Sequence, residues 1–103
     1  MTRISAADKK RLVDELVSCL KREREIVRIV VFGSFVQSDS PHDMDVAIFQ
    51  DSAEGYLPLA MKYREKTRRI ADDIALDIIP IRPNAPRTSF LMEIERGNTV
   101  YER

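Results

Sequence analysis

Two aspartates at the start of an apolar segment are the residues of this sequence most suited to chemistry. Asp43 and Asp45 stand two positions apart in the segment Asp43–Phe49, whose other members are apolar. If the segment is a β-strand, both carboxylates point to the same face, roughly 6–7 Å apart along the chain. Two carboxylates on an apolar strand are costly to fold around unless a cation neutralises them. We interpret them as ligands of a hard divalent metal ion that carries a phosphate-bearing ligand.

A third aspartate, Asp77, is the only charged residue of the segment Ile74–Ile81. Short apolar runs rich in isoleucine are typical of buried strands. If this strand lies beside the Asp43–Phe49 strand, three carboxylates converge. Such a constellation suits a two-metal site for phosphoryl or nucleotidyl transfer.

Length and composition restrict the class of protein. The chain has 103 residues, predicted to form a single domain over residues 1–103, and 17 basic residues balance 17 acidic ones. A formal net charge of zero argues against general nucleic-acid binding. The single cysteine, Cys19, excludes an internal disulfide framework and a cysteine-rich zinc site. Without a signal-peptide pattern or an apolar run long enough for a membrane, we expect a cytoplasmic enzyme or interaction module.

Hydrophobic spacing predicts the elements that must position these residues. They are a helix from about Ala6 to Arg24 with Ser5 as its N-cap, a strand Ile26–Phe32, a short helical turn Phe35–Gln37, a strand Asp43–Phe49, a helix from about Gly55 to Ala75, a strand Leu76–Ile81 and a last helix Thr88–Arg96 that Gly97 ends. This order predicts an α/β (α+β) fold with a small mixed β-sheet flanked by helices.

These motifs together resemble the nucleotidyltransferase superfamily typified by DNA polymerase β. The resemblance rests on Gly33–Ser34 directly after an apolar strand, on Asp43 and Asp45 opening the next strand, and on the later Asp77. The small size is similar to the minimal nucleotidyltransferase (MNT) branch. The resemblance covers nearly the whole chain and implies a nucleotidyltransferase-like fold for the single domain.

The resemblance also implies a role for each motif residue. Gly33 would let a triphosphate approach the backbone, and Ser34 would bind a phosphate through its hydroxyl and N–H groups. Asp43 and Asp45 would hold Mg²⁺ on the triphosphate. Asp77 would complete a second Mg²⁺ site and activate the attacking hydroxyl. The implied catalytic and metal-binding set is therefore Asp43, Asp45 and Asp77, with Gly33 and Ser34 binding the nucleotide.

Since the sequence contains no added acceptor domain, we expect the acceptor or a wall of the site to come from another polypeptide, either a second copy or a different partner. Small MNT proteins are commonly paired with a HEPN-domain toxin, a helical RNase. The resemblance therefore implies an antitoxin that transfers AMP from ATP, or another nucleotide, to a hydroxyl of its partner.

The loop after Ser34 departs from the usual family pattern. Eight residues separate Ser34 from Asp43, and Gln37 and Ser38 stand where members often have Arg and Gly. His42 takes the place of a serine before Asp43. These differences keep a second interpretation open, a non-catalytic antitoxin or regulatory subunit that acts by contact. A third interpretation is a homodimeric enzyme that modifies a small molecule of the aminoglycoside type.

Overall fold

A four-stranded sheet forms the centre of the molecule. The structure, a computed structural model, describes residues 4–103, and residues 1–3 of the predicted domain lie outside that range. The elements are helix α1 (Ala6–Leu20), strand β1 (Ile26–Phe32), helix α2 (Ser34–Gln37), strand β2 (Asp43–Gln50), helices α3 (Tyr56–Lys66) and α4 (Arg68–Ala71), strand β3 (Ala75–Ile81), helix α5 (Ser89–Glu95) and strand β4 (Asn98–Glu102). None of the helices between residues 4 and 103 has the length and apolarity needed to cross a membrane.

The strands lie in the order β3-β2-β1-β4. β1 runs antiparallel to both of its neighbours, whereas β2 and β3 are parallel. The parallel pair needs a crossover connection, which α3 and α4 supply. The predicted fold class, a small mixed sheet flanked by helices, is confirmed.

The two faces of the sheet pack against different helices. Met44, Val46 and Ile48 of β2 point to the larger core, which also contains the buried residues of α1, α3 and α4. Ala47 and Phe49 point to a smaller core on the other face, beneath α5. Because side chains alternate along a strand, Asp43 and Asp45 must share the face of the smaller core.

The first helix begins as predicted and ends earlier. Ser5 is its N-cap, and the Ser5 hydroxyl accepts a hydrogen bond of 3.0 Å from the backbone N–H of Asp8. The helix ends at Leu20, and the prediction of an end near Arg24 is wrong. Leu20 is the last buried position of the helix, and the segment Lys21–Glu25 has no apolar side chain to hold a further turn on the core.

The predicted helix from Gly55 to Ala75 is two helices. Thr67 separates α3 from α4 and adopts a non-helical backbone conformation. Its buried hydroxyl donates a hydrogen bond of 2.8 Å to the carbonyl oxygen of Tyr63. The Thr67 N–H also donates to this carbonyl, over 3.1 Å, so one oxygen accepts two bonds at the residue where α3 ends, and a threonine that bonds back in this way often bends a helix.

The segment after α5 forms a fourth strand that the predicted element order does not contain. β4 pairs with β1, with Tyr101 opposite Ile29 and Thr99 opposite Val30. Its position at the edge of the sheet leaves most of its residues half-buried or exposed, so its sequence has little of the apolar character that marks an inner strand.

A polar network joins the start of β1 to α3. The Tyr63 hydroxyl donates to Glu25 Oε2 over 2.8 Å, and Lys62 Nζ lies 2.9 Å from the same oxygen. Burial alone raises the pKa of Glu25. The hydrogen bonds from Lys62, from its own backbone and from Tyr63 outweigh burial and bring that pKa below its ordinary value. The ionised carboxylate therefore stabilises this junction.

Candidate active site

The pairing of β2 with β3 places the predicted carboxylates on neighbouring strands. Asp45 and Asp77 are register partners across the parallel pair, and Asp43 lies opposite Ala75. Since register partners project to the same side of a sheet, Asp77 joins Asp43 and Asp45 on the α5 face. The condition on which the three-carboxylate site depended, that these strands are neighbours, is met.

Asp45 is the most enclosed of the three carboxylates. It is half-buried, whereas Asp43 and Asp77 are exposed. Burial raises the pKa of Asp45 above its ordinary value, and the negative charges of Asp77 and Asp43 raise it further. Such a shift is the effect expected where like charges share a site, and it makes a bound cation favourable there.

A glycine at the end of β1 makes room for the Asp45 carboxylate. Gly33 has φ +74° and ψ −150°, a backbone region that essentially only glycine occupies. A Cβ atom added to it would lie 2.5 Å from Asp45 Oδ2. Phe32, the residue before the turn, is the register partner of Asp45. The Asp45 carboxylate therefore lies where a side chain at residue 33 would be, and the phosphate-binding role of Gly33 stays a prediction.

Ser34 begins the short helix α2 directly after this turn. The carbonyl of Gly33 accepts hydrogen bonds from the N–H groups of Val36 and Gln37, over 3.1 and 3.2 Å. The Ser34 side chain is exposed, and Phe35 beside it is buried in the larger core. Phe35 thus anchors the turn while Ser34 stays accessible to a ligand.

The donor set fits a hard divalent cation, because carboxylate oxygens are the ligands that Mg²⁺ takes from proteins. Within residues 4–103, no three His, Cys, Asp or Glu side chains are gathered closely enough to hold a metal ion. The exposed carboxylates of Asp43 and Asp77 have room to change rotamer, so the strands set their positions and leave their final orientation free.

Two further residues border the site without a signal in the sequence motifs. Gly97, predicted only as the end of the last helix, lies against the end of β1. A Cβ atom there would clash with the carbonyl oxygen of Val31 and lie 2.6 Å from Phe32 Cβ. Phe90 of α5 contacts Phe32 edge to face, with 6.1 Å between the ring centroids. The position of Gly97 between a helix and an edge strand is the sequence feature that could have indicated its close approach to β1.

A mixed sheet with paired carboxylates beside a glycine–serine turn defines a nucleotidyltransferase domain. The family model described as polymerase beta, nucleotidyltransferase, matches residues 14–103. The chain belongs to this family. No curated protein matches it by sequence.

Solved structures with the same fold are toxin–antitoxin complexes. A complex of tri-AMPylated Shewanella oneidensis HEPN toxin with MNT antitoxin contains a similar chain, with 14% identity, TM-score 0.67, and 92% of this chain and 73% of that chain covered. For the toxin–antitoxin MntA–HepT the values are 14%, 0.65, 91% and 73%. For a toxin–antitoxin with AMP-PNP they are 16%, 0.69, 88% and 73%. The family match confirms the predicted resemblance to the nucleotidyltransferase superfamily, and the chain shares its fold with chains of these toxin–antitoxin complexes.

Proposed function

We propose that this protein is a Mg²⁺-dependent nucleotidyltransferase that transfers AMP from ATP to a hydroxyl group of a HEPN-domain toxin and so acts as its antitoxin. The observation that carries the proposal is the register pairing of Asp45 with Asp77, with Gly33 packed against Asp45. The strands place the three carboxylates on one end of one sheet face next to the glycine–serine turn, which supports a site for nucleotidyl transfer.

The residues have separate roles in this proposal. Asp43, Asp45 and Asp77 would hold the divalent metal, which supplies charge neutralisation for the triphosphate when it is bound. Gly33 and Ser34 would bind the phosphates through backbone N–H groups and the Ser34 hydroxyl. Asp77 is exposed and accessible to the acceptor, and would take the proton from its hydroxyl. The hydroxyl oxygen forms a bond to the α-phosphorus while the bond to the bridging oxygen breaks, and pyrophosphate leaves.

The partner is proposed from the structural neighbours. One of them contains an AMPylated HEPN toxin beside its MNT antitoxin, and another contains AMP-PNP. These compounds and partners belong to those proteins, and their shared fold supports the same substrate class and acceptor for this chain. A cytoplasmic location, where ATP and an RNase toxin meet, is part of the proposal.

The test is transfer of label from α-labelled ATP to a HEPN-domain protein from the same source, with Mg²⁺. We expect wild type to label the toxin, and Asp45→Asn and Asp43→Asn to abolish labelling while the urea midpoint stays at or above that of wild type. Asp14→Asn is the matched control, because Asp14 is exposed on α1 and forms an ion pair with Lys10 on the same helix. Full labelling by Asp45→Asn would refute the site.

A contact-only antitoxin is the second candidate function. It is favoured by Gln37 and Ser38, which leave the turn after Ser34 without the arginine that family members often place there. It predicts a stable complex with the toxin and no label transfer, and it predicts that Asp45→Asn neutralises the toxin as well as wild type does. Toxin activity measured in the presence of wild type and of Asp45→Asn separates the two functions.

A further inference from the structure

The aromatic side chain of Phe90, on the carboxylate face of the sheet, is about half exposed to solvent. Phe90 is 51% exposed, although its ring contacts the ring of Phe32 at an interplanar angle of 83°. At 100° per residue along α5, Phe90 lies about 40° from Ile94 and about 100° from Leu91, and both of these residues pack into the smaller core. It therefore sits on the inner side of the helix, at the border of the core, with half of its surface uncovered.

Phe90 lies one side chain away from the carboxylates. Phe32 is the antiparallel register partner of Asp45, so the two side chains are on the same face with Cβ atoms about 4.5–5.5 Å apart. Phe32 is buried beneath Phe90 and is followed directly by Gly33. Phe32 therefore contacts Phe90 and is the register neighbour of Asp45, which links the exposed ring to the carboxylate face.

The position of α5 is held from both ends. The Thr88 hydroxyl accepts a hydrogen bond of 3.1 Å from the backbone N–H of Leu91 and caps the first turn. At the other end Gly97 lies in close contact with the backbone of β1 at Phe32. The Phe90 ring is therefore presented beside the site by a helix whose two ends are both fixed.

We infer that Phe90 is the platform on which the base of the bound nucleotide stacks. The inference rests on the proposed function, because the site must bind a nucleotide for its base to need a partner. A nucleotide with its phosphates at Gly33 and Ser34 carries a flat base whose faces stack favourably on an aromatic ring, and Phe90 offers such a ring next to Phe32. A phenyl ring has no hydrogen-bonding group, so the platform does not itself distinguish adenine from other bases.

The experiment measures binding of ATP and of inorganic tripolyphosphate, with Mg²⁺, by calorimetry. Phe90→Ala should weaken ATP binding about 5- to 150-fold, which corresponds to the roughly 1–3 kcal/mol of one base–aromatic stack. Its affinity for tripolyphosphate should stay unchanged, because that ligand has no base. Phe90→Tyr, which keeps the ring, should bind ATP as wild type does.

A matched control and a direct reporter complete the design. Met92 is 47% exposed and lies about 200° around α5 from Phe90, so Met92→Ala removes a similar apolar surface away from the site. ATP binding by Met92→Ala should equal that of wild type. The chain contains no tryptophan, so Phe90→Trp introduces a single indole whose emission can be excited separately from that of the three tyrosines. ATP should quench this fluorophore, and tripolyphosphate should not.

The outcomes separate this inference from the proposed function. If wild type binds neither ATP nor tripolyphosphate, the proposed function fails and the inference fails with it. If wild type binds ATP and Phe90→Ala binds it equally well, the nucleotide site stands and the stacking role is refuted. If Phe90→Ala loses both ligands to the same extent, the ring supports the shape of the site and does not contact the base, which also overturns the inference.

Discussion

Replacing Gly33 by alanine tests the link between the turn and the carboxylate site. Gly33 has φ +74° and ψ −150°, and a residue with a side chain in this region carries a backbone cost of about 1–3 kcal/mol. The new Cβ would also lie 2.5 Å from Asp45 Oδ2. Because Oδ2 is the end of a side chain, the carboxylate can swing away, so the stability loss should come mainly from the backbone.

Gly33→Ala should therefore lower the free energy of unfolding by about 1–3 kcal/mol. With a urea dependence of roughly 2 kcal/mol per molar, a loss of about 2 kcal/mol moves the unfolding midpoint down by about 1 M. Displacement of the Asp45 carboxylate should reduce label transfer further, by about 100-fold for a shift of about 1 Å. Urea titration followed by circular dichroism measures the first effect, and the toxin-labelling assay measures the second.

Gly55→Ala is the control for the same chemical change in an ordinary backbone. Gly55 has φ −73°, and the nearest atom to an added Cβ is Pro58 Cδ at 3.8 Å. Alanine reduces the conformational entropy of the unfolded chain, which stabilises the fold, whereas loss of the glycine N-cap destabilises α3. Because these effects oppose each other, the free energy of unfolding should stay within about 1 kcal/mol of wild type. Equal urea midpoints for Gly33→Ala and Gly55→Ala would show that the positive φ and the contact with Asp45 do not constrain the turn.

Three further substitutions probe the surroundings of the site and the core. Gly97→Ala should destabilise the fold by about 1–3 kcal/mol, because the added Cβ would lie 2.9 Å from Phe32 Cα, a backbone atom that cannot move without disturbing β1. An unchanged urea midpoint would contradict this close approach. Asp45→Asn should be more stable than wild type at pH 7 and equal to it near pH 4. Because the pKa of Asp45 is raised in the folded protein, wild type loses stability as pH rises from the ordinary aspartate pKa, about 3.9, through the raised pKa. Urea midpoints measured across this pH range test the direction of the change. Tyr63→Phe should cost about 1.5–3 kcal/mol at pH 7, since it removes a 2.8 Å hydrogen bond to the ionised Glu25, and a loss below about 0.5 kcal/mol would mean that Lys62 satisfies that carboxylate alone.

Local patterns in the sequence were sufficient to predict most of the helices and strands and part of the candidate site. Alternation along β2 places Asp43 and Asp45 on one face whatever the rest of the fold does, because successive side chains of a strand point in opposite directions. The N-cap at Ser5 and the end of α5 before Gly97 also follow from short-range rules of hydrogen bonding and backbone conformation. These features depend on neighbours within a few residues, which the sequence displays directly.

The elements that sequence patterns missed depend on distant contacts. β4 is a strand because β1 lies beside it, and its half-exposed residues lack the apolar pattern of an inner strand. The break at Thr67 depends on a hydroxyl that is buried and bonded to the preceding turn, which helical spacing of apolar residues does not reveal.

The sequence by itself identified the residues that we propose to carry the chemistry, namely two aspartates on one strand, a glycine–serine turn and a third aspartate in an apolar segment. Only the tertiary structure decided that they lie on neighbouring strands of one sheet face. The register of a parallel pair is set by the packing of the whole sheet, and it places Asp77 directly beside Asp45. The same packing brings Phe90, 45 residues along the chain from Asp45, to the border of the site through its contact with Phe32. Residues so far apart in sequence meet only when the hydrophobic faces of the sheet and helices are buried against each other, which no local pattern records.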